Sequence, residues 1–510
     1  MPDELAPPAA LEELAAAAMD AARSAGATYA DVRLGERQTY SIIQTFNIFS
    51  PGVLLAEYFS YGVRVLVDGA WAFAHGTVPS IDAIASTARE AVASAQGVAR
   101  AGVATKADFA PATTVTGRYE TPIKIDPFVV PAEEQLALLN AYAATLSRSV
   151  GSFPAFDLAI YVHNFRWNRE RRTIATTEGT MVTQTLRTGS AGFGGGGDRG
   201  MGITSVRPPE IIAGAGGYEM VLVPGISERI KVAAEDGTRM ARLPRRPLPV
   251  GRYPVVFDGY ATAKVFGETI SPALELDRVL GEEADASGVS LFAPLEETLG
   301  SQIAPTFVNV SADRPLPSML GAQWDDEGVV PEPYAVIENG RIVDFHTSRC
   351  TAPALAAWYA KQGRPLRSHG CSVAPDPENP VLVRAPHVTM APASSTASLD
   401  DLCKELTHGI LVREIREVST DQQYAGGQFS WADMLEIERG KVVRRLGETA
   451  LQFSTKALWK SLKALGDAST IRTEYSRLYK GQPWFSALHA TTAPAAFFGG
   501  INVVSTGRAL

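Results

Sequence analysis

Cysteine, histidine and long apolar runs are sparse in this chain, and each shortage excludes something. Three cysteines, Cys350, Cys371 and Cys403, occur in 510 residues, with no CxxC. An odd count without paired spacing argues against a disulfide framework and points to reduced thiols. The seven histidines (75, 163, 346, 369, 387, 408 and 489) stand at least eighteen residues apart, so none pairs with a sequence neighbour around a metal. No stretch of about 18 uninterrupted apolar residues occurs, so no membrane span is expected. The acidic start, MPDELAPPAALEEL, lacks the basic and apolar regions of a secretory signal. There is no GxSxG and no GK[ST]. A formal charge of −8 without a Lys/Arg stripe argues against nucleic-acid binding. The densest basic patch, Arg242 to Arg246, reads as a solvated linker or a contact for an anionic ligand. A soluble, cytoplasmic protein is expected.

What is present is enough chain for two or three domains. The pattern divides into 1–97, a Pro/Thr/Ala-rich linker at 98–130, a central unit at 131–246 and a C-terminal unit at 247–510. Leu11, Leu14, Ala18 and Ala22 recur at helical spacing over Pro8–Ser24. Tyr29–Leu34 and Gln38–Phe49 alternate as strands, and Asp68-Gly69 signals a hairpin between Gly62–Val67 and Ala70–His75. Ser80 is placed to cap a helix reaching about Gln96. The central unit has a helix after Pro131, strands near Ala155–His163, Arg171–Thr177 and Thr180–Arg187, and a helix over Ile226–Met240. The third opens on a buried strand, Tyr253–Phe257. It continues mostly as strands, with turns at Asn339-Gly340 and Arg439-Gly440, a helix from Ser398 stopped by Gly409, and a last helix over Ser454–Leu465. No parallel βαβ alternation is sustained. The class is therefore α+β: two helix-plus-antiparallel-sheet N-terminal units, then a mostly β C-terminal domain with a few helices.

One segment carries most of the chemical information: Val265–Leu280, VFGETISPALELDRVL. Glu268 stands between Gly267 and Pro272, and Glu275-Leu276-Asp277 follows. Pro272 has no N–H and would kink or end a helix there. Further along come Leu299-Gly300-Ser301, Trp324-Asp325-Asp326-Glu327-Gly328-Val329, Ile337-Glu338-Asn339-Gly340 and Gly427-Gln428-Phe429-Ser430. Earlier stand Gly62–Ala74 (GVRVLVDGAWAFA) and Thr176-Thr177-Glu178-Gly179-Thr180. In this order and spacing, from about Ala27 onward, the sequence resembles the TldD/PmbA family of peptide-maturation metallopeptidases and gyrase modulators.

The resemblance implies a site and a departure from it. Peptidase members carry His-Glu-x-x-x-His on this segment, take a third zinc ligand from a cysteine near the C-terminus, and use the Glu as general base. Here the two His positions are Gly267 and Pro272, the Glu survives as Glu268, and the matching tail Arg477–Pro483 (RLYKGQP) has no cysteine. A bound zinc lowers the pKa of its water from about 15.7 to about 7. Those roughly nine units correspond to about 12 kcal/mol. A lone general base contributes about 10²–10⁴-fold, equivalent to only about 3–5 kcal/mol. Glu268 alone does not replace the metal, so no cofactor is expected, and Glu268 is either a general base or an ion-paired relic. The segment Pro386-His387-Val388-Thr389-Met390 also lacks the Arg and Asn that the family carries there.

Weaker signals remain open. Glu268, Glu275, Asp277, Glu282 and Glu283 form either a hard-cation site or a solvated acidic helix end. Gly192 to Gly197 formally satisfies GxGxxG, but no helix signal follows, and it reads as a flexible loop. The thiol of Cys371 lies beside His369 in sequence, a poor geometry for a nucleophile and its base. The resemblance implies pairing with a TldD/PmbA-type paralogue, or with a second copy, around a peptide substrate. The reading is a degenerate partner or substrate-binding subunit. The alternatives are a metal-independent hydrolase using Glu268 with His346 or His369, and a non-enzymatic binding protein. Exposed apolar edge strands of the third unit are the expected docking surface.

Overall fold

The computed structural model describes residues 5–46, 49–102, 109–150, 158–198, 203–206, 212–415, 418–430, 432–482 and 484–506. It is a mixed α+β fold. Helix α1 (Pro8–Ser24) leads into three strands, β1 (Tyr29–Phe46), β2 (Phe49–Val67) and β3 (Ala70–Gly76), followed by α2 (Ile81–Arg100). Ser80 caps α2 by accepting from the Ala83 N–H at 3.2 Å. The β2–β3 turn forms at Asp68-Gly69, both with positive φ, the mirror-type turn whose twist suits a hairpin. Strand β4 (Thr116–Glu120), α3 (Ala132–Val150), β5 (Leu158–Thr176), β6 (Met181–Asp198), β7 (Ile203–Val206), β8 (Ile212–Ala215) and α4 (Ile226–Ala241) complete this half.

The two N-terminal units are joined in one eight-stranded sheet, because β1 pairs along its length with β5. Two expectations are corrected here. The stretch read as a linker contains β4, which adds to β6 in parallel. The glycine run at 192–197 is strand rather than loop. Backbone pairing with β5, Gly192 opposite Asn164 and Gly195 opposite Tyr161, overrides the weak strand propensity of glycine. The first residues of the strand expected at Ala155–His163 lie outside the described residues, and β5 is traced from Leu158. One face of the sheet is apolar. Val32, Leu34, Val63 and Val65 pack under α1 and α2, and Phe165 and Trp167 pack beside Leu139, Leu146 and Ile230 of α3 and α4. Residues of opposite parity, among them Arg37, Thr39, Asn168 and Arg172, face the C-terminal half.

That half holds a ten-stranded and a six-stranded sheet. The basic patch supplies a two-residue strand, β9 (Arg245–Arg246), paired with Arg445-Leu446. Strand β10 (Gly251–Phe257) lies centrally, parallel to His408–Ile415 and antiparallel to Ala496–Ser505. Turns form at Asn339-Gly340 and Arg439-Gly440, again with positive φ. Two helices are shorter than expected. The Ser398-capped helix spans only Leu399–Lys404, and Gly409 lies in a strand opposite Ile437. The last helix covers Thr455–Lys460, since Leu462–Leu465 pairs with the strand Ala496–Ser505.

Candidate functional site

Strand β10 delivers the chain to α5 (Gly259–Gly267), capped by Asp258, whose Oδ1 accepts from the Ala261 N–H at 2.8 Å. This helix packs against Arg472–Lys480 and Phe485–Ala493, the hairpin of the six-stranded sheet, and against His408–Ile415 of the other sheet. It then stops at Gly267. Two short helices follow, α6 (Ile270–Ala273) and α7 (Leu276–Leu280). Glu268 is therefore the residue after a helix, not a residue within one. The break falls four positions before Pro272, where the missing Pro272 N–H would have bonded the Glu268 carbonyl.

The Glu268 carboxylate pairs with Lys264 Nζ at 2.9 Å, and the same ammonium donates to Ser476 Oγ at 3.0 Å. Glu474 stands close enough to feel both. Burial pushes its carboxyl up to about 7, with Lys264 opposing and Glu414 and Glu268 reinforcing. At Gly267 the space beside the backbone is filled. A Cβ there would lie 2.6 Å from Thr491 Oγ1 and 3.3 Å from His489 Nε2, two atoms hydrogen-bonded to each other at 2.9 Å. Burial drives His489 down to about 4, leaving it neutral.

Below this corner, Lys480 is fully buried in an acidic cage. Its Nζ donates to Glu275 Oε2 at 2.9 Å, to both Asp277 oxygens at 2.6 and 2.7 Å, and to the Val383 carbonyl at 2.9 Å. Arg278 Nε adds a bond to Glu275 Oε2 at 3.0 Å, and the Ala385 N–H donates to Glu275 Oε1 at 3.1 Å. Burial opposes ionisation of Glu275, but Lys480, Arg384 and Arg278 outweigh it and hold its carboxyl well below the ordinary range. Burial pushes Asp277 upward against the pull of Lys480.

With this geometry in view, the comparisons with known proteins are specific. The sequence matches the PmbA/TldA metallopeptidase C-terminal domain over residues 250–505 and domain 1 of the same group over 53–95. The chain belongs to the TldD/PmbA family. A metalloprotease of Methanothermobacter thermautotrophicus is 24% identical over 443 residues, 86% of this chain and 88% of the relative. One from Archaeoglobus fulgidus is 24% identical over 404 residues, 79% and 84% of the two chains. Among solved structures, a proposed DNA gyrase modulator of Thermotoga maritima superposes with a TM-score of 0.70 at 16% identity, covering 97% of this chain and all of that one. TldE from Thermococcus kodakarensis gives 0.67 at 15%, with the same coverage. At such identities these two establish the fold alone.

Zinc of the TldD/PmbA kind does not fit the residues present. Gly267 has no side chain, and Pro272 offers no donor. The tail has no cysteine, its Lys480 is already ion-paired with Glu275 and Asp277, and Pro483 lies outside the described residues. Among the described residues, no group of three or more His, Cys, Asp or Glu is arranged to hold a metal. Of the five acids read as a possible hard-cation site, Glu275 and Asp277 are instead neutralised by Lys480.

The other candidates separate. His346 and His369 do not approach Glu268 through any hydrogen bond described. His346 Nδ1 meets the Tyr334 hydroxyl at 2.6 Å, and His369 Nε2 meets Asp344 Oδ2 at 3.0 Å beneath a stacked Tyr334 ring. Cys371 lies in the same network, 3.2 Å from the Tyr334 hydroxyl, and burial raises its thiol to about 11. Such a thiol is inert at neutral pH. Trp324–Val329, the most family-like motif, clamps the two halves together. Asp326 takes a two-oxygen bond from Arg172 at 2.7 and 2.8 Å, Glu327 pairs with Arg64 at 2.8 Å, and Trp324 packs on Ile174 and Val182. Sequence reading missed Lys480, His489 and Thr491. The acids that hold Lys480 lie about two hundred residues away, and the backbone that His489 and Thr491 pack against, at Gly267, lies in α5.

Proposed function

We propose that this chain is a TldD/PmbA-type subunit of a peptide-processing assembly that lacks a metal of its own and serves as the partner or substrate-binding subunit in the cytoplasm. The observation that carries the reading is Lys480: an ammonium held by three carboxylate oxygens stands in the tail where catalytic members supply a zinc ligand. Family membership supports peptides as the substrate class, and a TldD/PmbA paralogue or a second copy as the partner. Exposed apolar side chains on β2, Val53 and Leu55 on one face at 59% and 43% exposure and Leu54 on the other at 55%, offer a docking site. This differs from the third-unit edge strands expected from sequence. Affinity purification of the full chain tests the reading. The expected result is recovery of a paralogue with an intact His-Glu-x-x-x-His, and peptide turnover by the pair that survives Glu268→Gln in this chain. A homodimer that cleaves peptides unaided would overturn it.

A second reading has one observation in its favour. Glu474, raised to about 7 by burial, feels the nearby Glu268 carboxylate, and a carboxylic acid held protonated near a second carboxyl group is a pattern of metal-independent acid–base catalysis. Chelator-insensitive turnover by the isolated chain, lost in both Glu268→Gln and Glu474→Gln, would establish it.

A further inference from the structure

A cavity of about 420 Å³ opens between the polar face of β1, β5 and β6 and the C-terminal half. In a protein of net charge −8 its lining is rich in arginine: Arg37, Arg166, Arg172, Arg314, Arg384 and Arg477, against four acids. Two of those acids are already spent. Asp326 is bound by Arg172, and Asp376 by Arg37 at 2.6 Å. A third, Glu170, takes both Arg172 and Arg37. The fourth, Asp325, accepts from the backbone N–H groups of Glu327, Val329 and Ser372, and burial raises its carboxyl to about 7. No close ion pair joins the guanidinium groups of Arg166, Arg314 and Arg477 to any of them, although Arg314 pulls on Asp325 from farther away.

These three come from different parts of the fold: Arg166 from β5, Arg314 from the loop after Val310–Asp313, and Arg477 from the strand Arg472–Lys480. Arg166 is depressed from the ordinary arginine range by burial and by its neighbours Arg477 and Arg37, so the cluster repels itself. The Nε atoms of Arg314 and of the deeply buried Arg172 are enclosed without an acceptor. A folded chain gains nothing from holding like charges around an opening. An incoming carboxylate would relieve the repulsion and satisfy the forks, since guanidinium and carboxylate match two bonds to two. The lining also includes Met319, Leu320 and Leu488, which suit apolar side chains between acidic ones.

We infer that this cavity binds an acidic peptide segment, its carboxylates held by Arg166, Arg314 and Arg477. The anionic preference stands on the cavity alone, and the peptide nature of the ligand rests on the subunit reading above. The volume lies within the range of small-ligand sites, about 300–1,000 Å³.

The test uses the full isolated chain, so that a missing partner subunit does not affect it. A short fluorescein-labelled peptide of alternating Glu and Leu, and its Lys/Leu counterpart, are titrated by anisotropy. Saturable binding of the Glu peptide alone is expected, weakening with salt and falling about tenfold or more in Arg166→Gln/Arg477→Gln. The melting temperature of that variant is expected to stay level or rise, because the two side chains make no hydrogen bond or ion pair among the described residues. No saturable binding, equal binding of the Lys peptide, or unchanged affinity in the variant would overturn the inference. Full displacement by citrate or inorganic phosphate at the peptide's own concentration would identify a free small anion and contradict the peptide assignment.

Discussion

The corner around Lys480 and the cavity against β5 are both dense in charge, yet they treat it in opposite ways. Around Lys480 each buried group has its counterpart: one ammonium, two carboxylates, the Arg278 fork and several backbone groups close on one another. In the cavity, three guanidiniums face an opening whose four acids form no ion pair with them. A closed set needs no ligand, and an open set lacks one. The difference separates structure from function better than family position does. Gly267 and Pro272 of the motif segment are buried, while the proposed binding surface is a cavity that β5 shares with Trp324–Asp326 and Arg477.

Breaking the closed set has the largest expected effect. Lys480→Met leaves Asp277 buried without its ion-pair partner and Glu275 with its arginines alone. Losing one partner of a buried pair costs about 3–5 kcal/mol, read as a lowered midpoint in urea unfolding. Arg172→Ala at the inter-half clamp strands Asp326 in the same way, with an expected loss of similar or slightly smaller size because Arg172 lies near the cavity. Gly267→His is next: its Cβ meets Thr491 and His489, and overpacking of this kind costs about 1–3 kcal/mol. Zinc titration of that variant should still show no specific site, since Pro272 and Lys480 remain.

A smaller effect concerns pH. Glu474 has its carboxyl raised from 4.5 to about 7 by burial, so the unfolded chain releases its proton first as pH rises. Its contribution to stability is full below about pH 4.5 and is lost as pH climbs through about 7. Glu474→Gln should flatten the stability profile across that window, and denaturation at pH 5 and pH 8 checks it. The smallest effect belongs to the open set: Arg166→Gln should change the melting temperature little or raise it slightly, sharpening the contrast with Lys480.

Much of the scaffold could be read from sequence, because turns and caps are local. Asp68-Gly69, Asn339-Gly340 and Arg439-Gly440 form where φ > 0 is tolerated, and Ser80 and Ser398 cap as side chains of that type do. Misreadings arise where pairing partners are remote. Leu462–Leu465 fits a helical period as well as a strand, and only the strand Ala496–Ser505 decides between them. The glycine run became strand because β5 lies beside it. At the site, Pro272 announced a helix break, but its position at Glu268 follows from the bond that proline removes. The cage lay beyond local patterns, since Lys480 meets acids 203 and 205 residues earlier. Polar residues at 166, 168, 170 and 172 alternate along β5 and gave the one available hint of the cavity.

The central claim is that Gly267, Pro272 and the described part of the tail, with Lys480 ion-paired to Glu275 and Asp277, offer a zinc ion no ligand set. Elemental analysis of the full chain after dialysis against zinc, repeated on Glu268→Gln, tests it most directly. The account predicts no stoichiometric zinc in either protein. One zinc per chain, held by its own side chains and weakened by Glu268→Gln, would contradict it.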